Sequence, residues 1–115
     1  MAKFISRFPL PNARQREILT ILIEEAAEVQ HRATKAMRFG LMEIQPEQNL
    51  TNAMRLALEI GDFDEVVTLA AGEGLIRNKD ITEGCIRKRE QLAKFMQTRP
   101  PRSEPKEKPG NDHRL

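Results

Sequence analysis

Residues 53–70 read Ala53-Met54-Arg55-Leu56-Ala57-Leu58-Glu59-Ile60-Gly61-Asp62-Phe63-Asp64-Glu65-Val66-Val67-Thr68-Leu69-Ala70. Wound at 100° per residue, the apolar side chains reach around most of the circumference and leave Asp64, Glu65 and Thr68 as the outward edge. The pattern predicts a helix over residues 50–71, ended by the Gly72-Glu73-Gly74 break. A helix apolar on so many sides needs neighbours on more than one of them.

The rest of the chain offers two such neighbours. Upstream, Asn12 with Gln15 forms a capping-box pattern after Pro9 and Pro11. Ile18, Leu22, Ala26, Val29, Ala33, Ala36 and Met37 then recur at three- and four-residue steps. A helix over residues 13–38 is expected, stopped by Gly40, with an apolar arc centred near Ala26, Val29 and Ala33. Residues 41–48, containing Pro46, read as a connection. A third helix is expected after Asp80, which makes a second capping pattern with Glu83, and runs to about residue 97. No segment alternates with period two, so the fold class is all-α: a bundle of three main helices per chain. Because one chain gives the central helix only two neighbours, the bundle is expected to be completed by oligomerisation into a homo-oligomer, a dimer or tetramer.

Composition narrows the classes further. The chain has 115 residues, 31% of them charged, with five Phe and neither Trp nor Tyr, so its own core is small. Its single cysteine, Cys85, excludes an internal disulfide framework and fits a packed small hydrophobe on the third helix. No apolar run approaches membrane-spanning length, so no membrane partner and a soluble, cytoplasmic protein are expected. Four of the seven prolines fall in the last sixteen residues, and residues 98–115 are expected to be a disordered charged tail on a folded domain of residues 1–97. That tail holds five basic and three acidic groups, whereas residues 1–97 hold 14 of each. The net charge of +2 therefore belongs to the tail, and nucleic acid is not an expected partner of the body. The run Arg87-Lys88-Arg89 has no aromatic residues interleaved for base stacking and reads as solvated surface. His113 lies in the tail.

Acidic pairs carry the chemical signal. On the first helix Glu24, Glu28, His31, Lys35 and Arg38 form a polar stripe, and Glu25 lies at its border, one turn from Glu28. Such a stripe is an ordinary solvated face. On the second helix Glu59 and Asp62, again three apart, are flanked by Leu56, Leu58, Phe63 and Val66. An unpaired carboxylate among apolar neighbours costs several kcal/mol, so it is neutralised, paired or bound to a cation. Arg55, four residues before Glu59, offers one structural partner and leaves Asp62 over. Glu25 and Glu28 facing Glu59 and Asp62 across two antiparallel helices would make an all-oxygen site suited to Mg²⁺, or Mn²⁺ in its place. Lys35 and Arg38, one to two turns farther on, either reach phosphate oxygens or are solvated.

Glu24-Glu25-Ala26-Ala27-Glu28 followed by Glu59-Ile60-Gly61-Asp62 resembles the EExxE…ExxD signature of the MazG-like all-α nucleoside triphosphate pyrophosphohydrolases. The likeness spans about residues 15–97 and is clearest over 21–40 and 56–71. It implies a Mg²⁺-dependent enzyme that hydrolyses a nucleoside triphosphate substrate, ribo or deoxyribo, to the monophosphate and pyrophosphate. It implies further that Glu25, Glu28, Glu59 and Asp62 hold the metal. Glu24, in the first acidic position, orients them or a water, and Glu28 is the carboxylate named for the water's proton. Two other readings stand beside it. Glu28-Val29-Gln30-His31 is a Glu-x-x-His pattern of the kind used in ferritin-like carboxylate di-iron proteins. A non-enzymatic helical interaction module, with the tail as its contact, is the other.

Overall fold

The computed structural model describes residues 7–100. Among them are three helices, α1 (Ala13–Phe39), α2 (Asn52–Gly72) and α3 (Asn78–Phe95), and no strand, so the all-α class holds. The chain divides into two compact units, Met1–Ile81 and Thr82–Leu115.

Local chemistry sets the ends of each helix in the first unit. The Asn12 side chain accepts from the Gln15 amide at 2.8 Å, and the Asn12 amide donates to Gln15 Oε1 at 3.0 Å, completing the expected capping box. At the far end the Gly40 amide donates to the Ala36 carbonyl at 2.9 Å, with Gly40 at φ 99° and ψ 148°. L-residues rarely adopt that backbone, and no atom outside its neighbours lies within 4 Å of where a Cβ would sit. Gly40→Ala is therefore expected to destabilise through backbone strain alone, by about 1–3 kcal/mol, measurable by denaturant unfolding with an unchanged m-value. α2 begins two residues later than expected, with Thr51 as its cap accepting from the Met54 amide at 3.1 Å. It ends in a Schellman motif: Leu75 N–H donates to the Ala70 carbonyl and Gly74 N–H to the Ala71 carbonyl, with Gly74 at φ 81°.

The connection is more ordered than its composition predicts. Ile44 and Thr51 form an isolated antiparallel bridge, while the Asn52 and Ala53 amides donate to the Glu43 and Leu41 carbonyls at 2.9 Å each. Asn52 is only 1% exposed, and its Nδ2 donates to the Gly40 carbonyl at 2.8 Å and to Glu43 Oε1 at 3.1 Å. The start of α2 is thereby tied to the end of α1. At the opposite end Arg14 on α1 makes a bidentate contact with Glu73, its Nη2 2.6 Å from Oε2 and its Nε 3.0 Å from Oε1. The two helices thus run antiparallel, fastened at both ends.

Between those ends the helices pack along narrow seams. On α1 a line of Gln15, Ile18, Leu22, Glu25, Val29, Arg32 and Ala36 is buried or half-buried, with Leu19, Ile21 and Lys35 half-buried beside it. On α2 they include Asn52, Leu56, Glu59, Phe63, Val66 and Ala70. Both sets step by alternating threes and fours, the spacing of a coiled-coil seam facing one partner helix. This corrects the expected apolar arc: Ala26 and Ala33 are exposed, and Glu25 sits within the seam rather than at its border. The physical reason is that one facing helix covers only a narrow stripe, whereas averaging apolar positions assumed a broad one. Met54, Leu58, Ile60 and Leu69 on α2 remain exposed.

α3 starts at Asn78, before Asp80, so the expected cap at Asp80 is incorrect. Asp80 instead lies in the first turn, where its carboxylate accepts from Arg77 Nε at 2.8 Å and interacts with the positive end of the helix. The helix ends at Phe95, and residues 96–100 carry no regular structure. No residue of α3 is buried. Cys85 is exposed, which overturns its reading as a packed core residue. Residues 101–115, including His113 and most of the proposed tail, lie outside the described residues. Among the described residues no helix is long and apolar enough to cross a membrane.

Candidate metal centre

The seams that hold the hairpin together also carry its acids inward. Glu25 lies midway along the α1 seam and Glu59 midway along the α2 seam, so antiparallel alignment sets one opposite the other. Asp62 follows Glu59 by three residues and stands at the seam's edge. One carboxylate oxygen from each of Glu25, Glu59 and Asp62 lies within 4.8 Å of those of the other two. Glu25 and Glu59 are half-buried and Asp62 is exposed, so the group opens to solvent on Asp62's side.

Among the described residues no ion pair is formed by Glu25, Glu59 or Asp62; the ion pairs are Arg14–Glu73 and Arg77–Asp80. Arg55, the structural partner available to Glu59 by spacing, donates to Gln45 Oε1 at 2.9 Å and ties the connecting loop to α2. The consequence is visible at Glu25, whose carboxyl is raised above its ordinary pKa by burial first, then by the charges of Asp62, Glu59, Glu28 and Glu24. The last two therefore act on the group electrostatically. Both are exposed on α1, and neither joins the three-residue cluster.

Lys35 and Arg38 sit at the end of α1 with their cationic groups 5.5 and 5.0 Å from the centroid of the Phe39 ring. Lys35 is seven residues, or about 10 Å of helix rise, beyond Glu28. The α1 seam itself contains Arg32, which sequence periodicity did not single out; it lies seven residues beyond Glu25 and is half-buried. The signal that finds it is the three-four step from Glu25 through Val29 to Arg32. His31 is exposed and is not among the clustered acids, so the structure gives no support to a Glu-x-x-His site.

The donor set is three carboxylates from two helices, all hard oxygen ligands. Bonds of about 2.0–2.1 Å to Mg²⁺ place two ligands no more than about 4.2 Å apart, and longer bonds to Ca²⁺ allow about 5 Å. A spread of up to 4.8 Å lies within the reach of Ca²⁺ and exceeds that of Mg²⁺, so holding Mg²⁺ requires the exposed Asp62 to change rotamer. The residues present therefore fit a divalent cation that keeps some of its waters. No protein-family model, curated protein or solved structure matches the chain significantly.

Proposed function

We propose that this chain is a Mg²⁺-dependent nucleoside triphosphate pyrophosphohydrolase of the MazG-like type, working as a homo-oligomer and releasing a nucleoside monophosphate and pyrophosphate. The observation that carries the reading is the convergence of Glu25, Glu59 and Asp62 from two helices, half inside an apolar seam and without a basic partner among the described residues. A stability-driven seam would place Leu or Ala at such positions, since an acid there costs solvation and gains no packing.

A bound divalent cation supplies neutralisation of the triphosphate and acidification of a water. The chain's residues do the rest. Glu25, Glu59 and Asp62 anchor the cation on the hairpin's open side, with Glu28 next along α1 as a further ligand or as the acceptor of the attacking water's proton. Glu24, one residue before Glu25 and exposed, adds negative charge that holds cation and water in place. In the reaction a water oxygen bonds to the α-phosphorus and the bridging α–β P–O bond breaks. The electron pair leaves with pyrophosphate, and the water's proton goes to the carboxylate. Arg32, farther along the seam, and Lys35 and Arg38 beyond it are the basic groups of α1 on the path a triphosphate would follow.

A panel of ribo- and deoxyribonucleoside triphosphates assayed with Mg²⁺ or Mn²⁺ tests this. Pyrophosphate release is the expected result, and orthophosphate alone would overturn the α-phosphorus chemistry. The acids also make a prediction independent of substrate. A carboxyl whose pKa is raised by folding contributes stability below its unfolded pKa and loses it as pH rises through the folded value. Glu25→Gln is therefore expected to melt higher than the parent in chelator at neutral pH. The difference should shrink to nothing below about pH 4, the unfolded carboxyl's range. Thermal melts across pH read this directly.

A further inference from the structure

We propose that the outward face of α2 receives helix α3 of a second copy of this chain. This names the surfaces behind the self-association and rests on that part of the reading above, not on the hydrolysis. α2 carries a second seam, opposite the one against α1: Met54, Leu58, Gly61, Glu65, Thr68 and Gly72, again stepping by threes and fours and all exposed. Leu58 is 59% and Met54 51% exposed. A Cβ added at Gly61 or Gly72 would meet no atom within 4 Å, and both glycines line an open concavity that Asn78 and Ile81 border. Large apolar residues at one end and small ones at the other describe a surface shaped for a helix.

Charge selects which helix. Asp64 and Glu65 sit on this face, so two copies of α2 laid together would bring four acids to one place. α2 holds one basic and four acidic groups, whereas α3 holds five basic and three acidic. α3 presents Arg87, Lys88 and Arg89 beside the exposed apolar Ile86 and Leu92. It offers the opposite sign with the same mixture of apolar and charged residues. Two such contacts, α3 on α2 and its reciprocal, are related by a two-fold axis and close into a dimer.

Mass by light scattering on the full chain, at rising salt, is the test, with far-UV circular dichroism confirming that each variant folds. The expected mass is twice 13.2 kDa, falling toward the monomer near 1 M salt as surface charges are screened. Asp64→Lys with Glu65→Lys, and separately Lys88→Glu with Arg89→Glu, should each weaken association at least tenfold. Combining all four in one chain should restore it. A monomer at every concentration overturns the proposal. So does a dimer indifferent to both reversals, or one that Leu58→Asp dissolves while the reversals do not. Pyrophosphate release measured on the same samples keeps the two readings apart. An inactive but charge-dependent dimer refutes only the hydrolysis, whereas an active monomer refutes the interface together with the self-association it rests on and leaves the hydrolysis standing.

Discussion

Glu59→Gln and Asp62→Asn are each expected to remove divalent-cation-dependent pyrophosphate release while leaving a folded, more stable metal-free protein. Each substitution replaces a charged oxygen ligand by an amide of the same size, so the seam keeps its packing and loses a ligand. Loss of even an outer-shell partner of a metal site costs about 10–100-fold, and direct ligands should fall at or beyond the upper end. Activity and stability then move in opposite directions, because the same cluster that attracts a cation repels itself in the cation's absence. A purely structural role for these acids predicts the reverse pairing, with stability lost and activity falling only as far as folding does. Turnover with Mg²⁺ and thermal melts in chelator, run on the same preparations, separate the two. Isothermal titration with Mg²⁺ alone should show the affinity loss without any nucleotide present.

The second large effect is expected at Asn52. It is buried at the first position of α2, and its Nδ2 serves the Gly40 carbonyl and Glu43 Oε1, while its Oδ1 is buried without a hydrogen-bond partner. The donor end is therefore the reason for the residue. Asn52→Ala removes both hydrogen bonds and should cost about 2 kcal/mol, on the order of 10 °C in Tm for a domain of this size. Asn52→Asp keeps the shape but presents an acceptor to two acceptors, and it should cost at least as much. Tolerance of Asp together with sensitivity to Ala would show that volume, not the donor, matters. Because this amide fixes where α2 begins relative to α1, both variants should also loosen the Glu25–Glu59 register and depress cation binding.

How far these features were legible in the sequence follows from the range of the interactions involved. The cap at Asn12, the stop at Gly40 and the Gly72-Glu73-Gly74 ending are local, since each is decided by residues within one turn, and each was readable. Asp80 misled because an acid in the first turn and an acid at the cap are both favourable, and Arg77, three residues earlier, decides between them. The face of α1 was misjudged because apolar averaging is blind to polar residues held in a seam. The three-four step through Gln15, Glu25 and Arg32 was present but hidden by Ala26 and Ala33, small residues that fit either side. Pairing Glu25 with Glu59 and Asp62 is legible from spacing and apolar flanks, whereas Glu28 is named by its spacing from Glu25 and by the third acidic position of the motif. Asn52 gave no signal, because its partners lie in a loop whose path depends on the whole hairpin.

The hairpin's fastenings respond to acidity in opposite senses. At its open end Glu73 is held below the ordinary carboxylate range by its hydrogen bond to Arg14, so that clasp is intact above that range and slackens as pH falls through the lowered value. At its middle the Glu25 carboxyl is raised above the ordinary range, so falling pH neutralises Glu25 before it touches the clasp. Between those two titrations lies a window, spanning the ordinary carboxylate range, in which Glu25 is neutral and the end is still tied. The cation-free hairpin is at its most cohesive there, and a rise in pH reopens the centre to whatever positive charge can fill it.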